Sequence, residues 1–210
     1  MFEAIAERSL IRAYGEVGFA DSGFTAEQFI AGLDAMGGDD ITIRLQSEGG
    51  DIFSGMSIYN QILDYPGHVT VEIDALSASI ASVFMMGADT IVASANSRVM
   101  VHNPWTIAAG EASDFRGTAD ILDKFAADIA DTYAEHTGRS SGYWRQVMDR
   151  SEYFSAAEAL EVGLVDRVSG RSTKAAAKAE PLVAMRPAYA AYKASQQARR
   201  LKVQRLTRRP

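Results

Sequence analysis

The amino-acid sequence predicts an α/β fold of stacked β-β-α crossover units, and three observations carry that expectation. Extended segments and helix-patterned segments alternate through the first 170 residues, the signature of crossover connections and a largely parallel sheet. Glycine pairs or Pro-Gly steps punctuate the joins, at Gly37-Gly38, Gly49-Gly50 and Pro66-Gly67. With 210 residues and 47% hydrophobic content, the chain can build one substantial core, and a second full domain is not expected.

The elements follow in order. Ser9 to Tyr14 reads as a strand, and Thr25 to Met36 as a helix whose Thr25 and Gln28 suit a capping box. Ile41 to Leu45 alternates as a strand, Gly49-Gly50 turns the chain, and Ile52 to Tyr65 forms a helix stopped by Pro66-Gly67. His68 to Asp74 is the next strand and Ser79 to Met86 the next helix, followed by short strands at Thr90 to Ala93 and Arg98 to Val101. A long helix over about Ser113 to His136 repeats Ile121, Phe125, Ile129 and Tyr133 every fourth residue. That stripe suits a core-facing surface or an arm that packs on another subunit, and periodicity does not separate the two. Ser155 to Leu160 reads as a capped short helix ending at Gly163, with Leu164 to Val168 as the last strand.

Charge divides the chain near Gly170. Residues 171–210 hold eleven Lys and Arg against Glu180 alone, a formal +10, so residues 1–170 carry −16 of the overall −6. The expected organisation is therefore a folded unit over 1–170 and a basic tail over 171–210, solvated or bound to a partner. Nucleic acid is not expected as a partner except through that tail. There are no cysteines, which removes disulfides, thiolate metal sites and cysteine nucleophiles. No apolar run approaches twenty residues, and the first residues lack a basic start with an apolar core, so membrane insertion and export are not expected. The expected location is cytoplasmic.

The chemistry concentrates in two stretches. Asp74 to Gly87 is an apolar run set with Ser77, Ser79 and Ser82, and Arg98 to Val101 is an apolar strand that ends at His102-Asn103-Pro104. Serine at a helix start ordinarily caps backbone donors. Here its hydroxyl would also lie beside free amides, the surroundings that an acyl-transfer nucleophile needs. Of the three histidines, His68 follows a turn and His136 sits at a helix end. His102 alone leaves an apolar strand and is fixed by the following Asn-Pro, which makes it the candidate base. Gly50 can turn its amide into a cleft, and with the amide of Ile80 it would complete a two-donor oxyanion site. No phosphate-loop pattern follows a strand, and neither cofactor nor metal is expected.

Taken together, Glu48 to Asn60, Ala78-Ser79-Ile80-Ala81-Ser82, Ser97 to Pro104 and Phe154 to Ala159 resemble the Clp protease proteolytic subunit family, in the same order. The resemblance runs from about Ile11 to Val168, and His102-Asn103-Pro104-Trp105 is most similar to its phage branch, the prohead or head maturation proteases. It implies a crotonase-like fold with a protruding arm helix, and a Ser, His, Asp triad in a ring-forming homo-oligomer. It further implies peptide substrates that add a strand near Gly50, capsid or scaffolding proteins in the phage branch. That would place the chain in a host cytoplasm or a procapsid. The nucleophile matches Ser79, the base His102, the oxyanion donors Gly50 and Ile80, and the arm helix the region from Ser113 to His136.

Two positions depart from that family. The acid position is Ser151, which carries no charge to stabilise an imidazolium. Asp149 would share its face if the segment were extended, so Asp149 is the candidate acid, with a dyad steadied by Ser151 or water as the alternative. Glu48 stands where the family has proline before the paired glycines. The first strand also begins early, leaving little room for an axial segment, so an ATPase partner is not expected. A noncatalytic ring or scaffold protein and a crotonase-type acyl-CoA enzyme remain the alternative functions. A Ser-Lys dyad has little to draw on, because Lys124 is the only lysine before the tail.

Overall fold

A short antiparallel ribbon forms one edge of the sheet, where β1 (Phe2–Ile5) runs against β2 (Leu10–Tyr14). Two residue pairs, β3 (Glu16–Val17) and β4 (Gly23–Phe24), lead into α1 (Ala26–Ala35). The expected capping box is formed, with Thr25 Oγ1 accepting from the Gln28 amide and the Gln28 side chain accepting from the Thr25 amide. Next come β5 (Ile41–Ser47), α2 (Ile52–Asp64), β6 (Val69–Ala78) and α3 (Ile80–Phe84), the last tightening to a 3₁₀ turn over Met85–Gly87. β7 (Thr90–Ser94), β8 (Arg98–Val101), α4 (Ala112–Thr137) and α5 (Ser141–Asp149) follow, then β9 (Glu152–Ser155), α6 (Ala156–Val162) and β10 (Arg167–Ser169). This computed structural model describes residues 1–170, and the expected basic tail over 171–210 lies outside the described residues.

The main sheet runs β1-β2-β5-β6-β7-β10, and from β2 onward every pair along that path is parallel. Alternation decides its faces. Ile41, Ile43, Leu45, Val69, Val71 and Ile73 are buried, while Thr42, Arg44, Thr70, Glu72 and Asp74 face the other way. On that polar face the Arg44 guanidinium bridges to Asp74 and Glu72, and the Tyr14 hydroxyl donates to Asp74. The apolar face packs on the helices, with Phe24, Phe29 and Phe84 in mutual ring contact and Ile58, Ile62, Ile129 and Trp144 buried around them.

What positions the site is a fork in β6. Its first half, Thr70 to Ile73, pairs with β7, and its second half, Leu76 to Ala78, pairs with β8. The register sets Ala78 opposite Met100. Residues just beyond those two positions therefore emerge side by side at one end of the sheet, and those residues include Ser79 and His102.

The long helix resolves the two readings of its stripe by halves. Ile129 and Tyr133 are buried, Phe125 meets Phe53 edge to face at 5.2 Å, and Phe115 and Ile121 are exposed. Its C-terminal half is core and its N-terminal half projects.

Two local expectations need correction. The segment ending at Asp149 is helical, not extended, because Ser140 caps α5 through the Tyr143 amide and Trp144, Val147 and Met148 bury at helical spacing. Asp149 is the last residue of that helix and does not share an extended face with Ser151, whose φ is 51°. The last strand lies at Arg167–Ser169 instead of Leu164 to Val168, since Leu164 and Val165 turn inward as buried core after the Gly163 cap.

Candidate active site

Ser79 occupies the turn between β6 and α3 with φ 56° and ψ −133°, a conformation that costs a non-glycine residue about 1–3 kcal/mol. A strand-to-helix elbow of this kind lifts a serine hydroxyl clear of its own backbone. The strain is held in place by the Ser79 amide, which donates to the Met100 carbonyl at 2.9 Å, and by the Ser79 carbonyl, which accepts from the Ser82 amide at 2.9 Å.

His102 follows the last residue of β8, and its Nε2 lies 2.7 Å from Ser79 Oγ. Burial pushes its pKa below the ordinary histidine value, so the ring is neutral and able to accept a proton at neutral pH. Among the described residues, Nδ1 of His102 makes no hydrogen bond.

The paired glycines pass directly beneath Ser79. A β-carbon on Gly49, whose φ is +98°, would stand 2.5 Å from Ser79 Cβ, so only glycine allows this approach. Gly50, at φ +151°, abuts Val17. The ladder between them is made by Val17 N–H to the Gly49 carbonyl and Asp51 N–H to the Val17 carbonyl, each 2.8 Å, which leaves the Gly50 amide outside it. Ile80 is the first residue of α3, where an amide has no intrahelical acceptor. The turn is braced from within by buried Ser47, whose Oγ accepts from the Gly49 amide at 3.0 Å. Sequence reasoning missed Ser47, for which the only cue is a hydroxyl two residues before a glycine turn.

Asp149 is not brought to His102. Its Oδ1 accepts from Asn103 Nδ2 at 2.7 Å, so the carboxylate reaches the residue after His102 instead of the imidazole. Ser151 is exposed and makes no side-chain hydrogen bond among the described residues. Beside Ser79 and His102 a small cleft is walled by Ile52, Ile80, Val83, Pro104 and Ile129, an apolar lining against a hydroxyl and an imidazole. Among the described residues no group of three or more His, Cys, Asp or Glu is placed to hold a metal ion, and no helix is long and apolar enough to cross a membrane.

Fold and site together define an α/β protein in which a strained serine meets a neutral histidine at the forked end of a largely parallel sheet. The family model described as Clp protease matches residues 2–172, and the chain belongs to that family. It is 34% identical over 133 residues to the ATP-dependent Clp protease proteolytic subunit of Bacteroides fragilis strain ATCC 25285, covering 62% of this chain and 64% of that protein. The subunit of the same name from strain YCH46 is also 34% identical over 133 residues, covering 62% and 60%. That of Chlorella vulgaris is 32% identical over 129 residues, covering 60% and 64%. The matched region thus spans somewhat less than two thirds of each of these relatives.

Proposed function

We propose that this chain is a serine endopeptidase that cleaves peptide bonds through an acyl-enzyme. The observation that carries this reading is the 2.7 Å contact between Ser79 Oγ and His102 Nε2, made at a backbone conformation that serine adopts only under constraint. His102 takes the hydroxyl proton as Ser79 Oγ attacks the substrate carbonyl carbon. The amides of Gly50 and Ile80 receive the oxyanion, and His102 returns the proton to the departing amine nitrogen as the C–N bond breaks. Water, deprotonated by His102, then attacks the acyl carbon, and His102 returns that proton to Ser79 Oγ as the ester C–O bond breaks. The amide of Gly50, which makes no hydrogen bond among the described residues, supports an extended substrate laid along that edge, and the apolar cleft supports an apolar side chain next to the scissile bond. Asp149 enters through Asn103 and not as a direct partner of the ring.

We further propose a ring-shaped homo-oligomer, supported by the projecting half of α4 with exposed Phe115 and Ile121 and by exposed Trp105 and Ile107 in the preceding loop. The finer reading, a phage head maturation protease acting on capsid or scaffolding proteins, rests on the His102-Asn103-Pro104-Trp105 stretch and on the division into an acidic unit over 1–170 and a basic segment over 171–210. The lone Nδ1 of His102 favours one competing reading, a noncatalytic scaffold homologue. Hydrolysis of a fluorogenic peptide with leucine before the scissile bond separates the two. The wild type turns over and Ser79→Ala does not; equal rates in both would refute the peptidase reading.

A further inference from the structure

A buried chain of hydroxyls ties the long helix to the nucleophile's backbone. Ser82 is fully buried as the third residue of α3, and its Oγ lies 2.6 Å from the Ser79 carbonyl oxygen, 3.0 Å from the Met100 carbonyl oxygen and 2.7 Å from the Tyr133 hydroxyl. A serine hydroxyl has one proton, and the two carbonyls only accept. With that proton directed at the carbonyls, the contact with Tyr133 must be donated by the phenol. Burial raises the Tyr133 pKa, which keeps the phenol protonated and able to donate. The order is therefore Tyr133 O–H to Ser82 O–H to the Ser79 and Met100 carbonyls.

Those two carbonyls belong to the backbone that carries Ser79 and leads to His102. One closes the strained peptide unit of Ser79; the other also receives the Ser79 amide and lies two residues before His102 on β8. A bond from a serine hydroxyl back to its own preceding turn is common in helices and would carry nothing alone. Here the same oxygen also reaches β8 and α4, so three elements meet on one atom. We propose that Ser82 and Tyr133 are positioning residues that hold Ser79 Oγ in register with His102. This proposal rests on the peptidase reading above.

The test measures peptide hydrolysis and the rate of inactivation by a serine-directed phosphonate for wild type, Tyr133→Phe, Ser82→Ala and the double variant. Tyr133→Phe keeps the ring, which packs 5.0 Å from Trp144, and loses one oxygen. It is expected to lower kcat about tenfold with KM within about twofold, because the loss falls on alignment and not on substrate contact. Ser82→Ala is expected to lose at least as much, and the double variant no more than Ser82→Ala, since the hydroxyls act in series. Should Ser82→Ala not fold, the kcat and KM of Tyr133→Phe decide alone. Wild-type kcat in Tyr133→Phe, a change confined to KM, or multiplicative losses in the double variant would overturn the positioning role. A wild type that neither cleaves nor labels would overturn the peptidase reading, and this proposal with it.

Discussion

Replacing Gly49 with alanine tests how closely the glycine turn is fitted to the nucleophile. The new methyl would stand 2.5 Å from Ser79 Cβ, 2.8 Å from the Ala78 carbonyl oxygen and 3.1 Å from Ser79 Oγ, where ordinary contacts begin at 3.4 Å. Relief requires Ser79 and the turn to part by about 1 Å, a misplacement worth about 100-fold in rate. The residue must also hold φ +98°, at about 1–3 kcal/mol for a side chain, which lowers the melting temperature by about 2–4 °C per kcal/mol in a fold of this size. Gly37→Ala is the matched control. Its φ is +67°, but its β-carbon would meet nothing within 4 Å, so it loses about 1 kcal/mol of stability and no activity. The assay is the second-order inactivation rate with a phosphonate, read beside a thermal melt. Inactivation of Gly49→Ala at the wild-type rate, or an equal loss in Gly37→Ala, would refute the reasoning.

The remaining predictions concern the base, its surroundings and the cleft. Because burial lowers the pKa of His102, kcat/KM should rise with pH through a midpoint below about 6.5, and a midpoint above 7 would contradict a desolvated base. The same shift makes the neutral ring a source of stability that is present above about pH 6.5 and is lost as pH falls through the folded-state value, which acid-side melts of wild type against His102→Gln would resolve. Asp149→Asn should reduce kcat by less than about tenfold, since its carboxylate meets Asn103 and not the imidazole; a loss near the roughly 10⁴-fold typical of a direct triad acid would overturn that geometry. Val83→Phe should fill the cleft and lower kcat/KM about tenfold for peptides with leucine before the scissile bond, while sparing those with alanine there. Equal losses for both peptides would place the specificity elsewhere.

Local chemistry was legible wherever a few neighbouring residues decide it. Thr25 and Gln28 announced their capping box, and the alternation of Ile41, Ile43 and Leu45 announced a strand with one buried face. Ser79, His102 and the glycine turn stood out because apolar strands run directly into them. Longer-range geometry was hidden. The fork in β6 pairs residues 20 apart with β7 and 22 apart with β8, and it alone explains why Ser79 and His102 emerge together. The helix ending at Asp149 was not among the elements expected from the sequence, although the Ser140 cap and the spacing of Trp144, Val147 and Met148 are local cues for it. The Asn103 bond to Asp149 joins positions 46 apart, and Ser82 owes its partners to β8 and α4. Neither carries a signal in the order of residues.

The central claim is that one hydroxyl among many is activated. Incubation of the full chain with a serine-directed phosphonate, followed by intact-mass measurement and peptide mapping, tests it most directly. The account predicts a single adduct on Ser79, absent in Ser79→Ala and formed far more slowly in His102→Ala. An adduct on another serine, or none on the folded wild type, would contradict it.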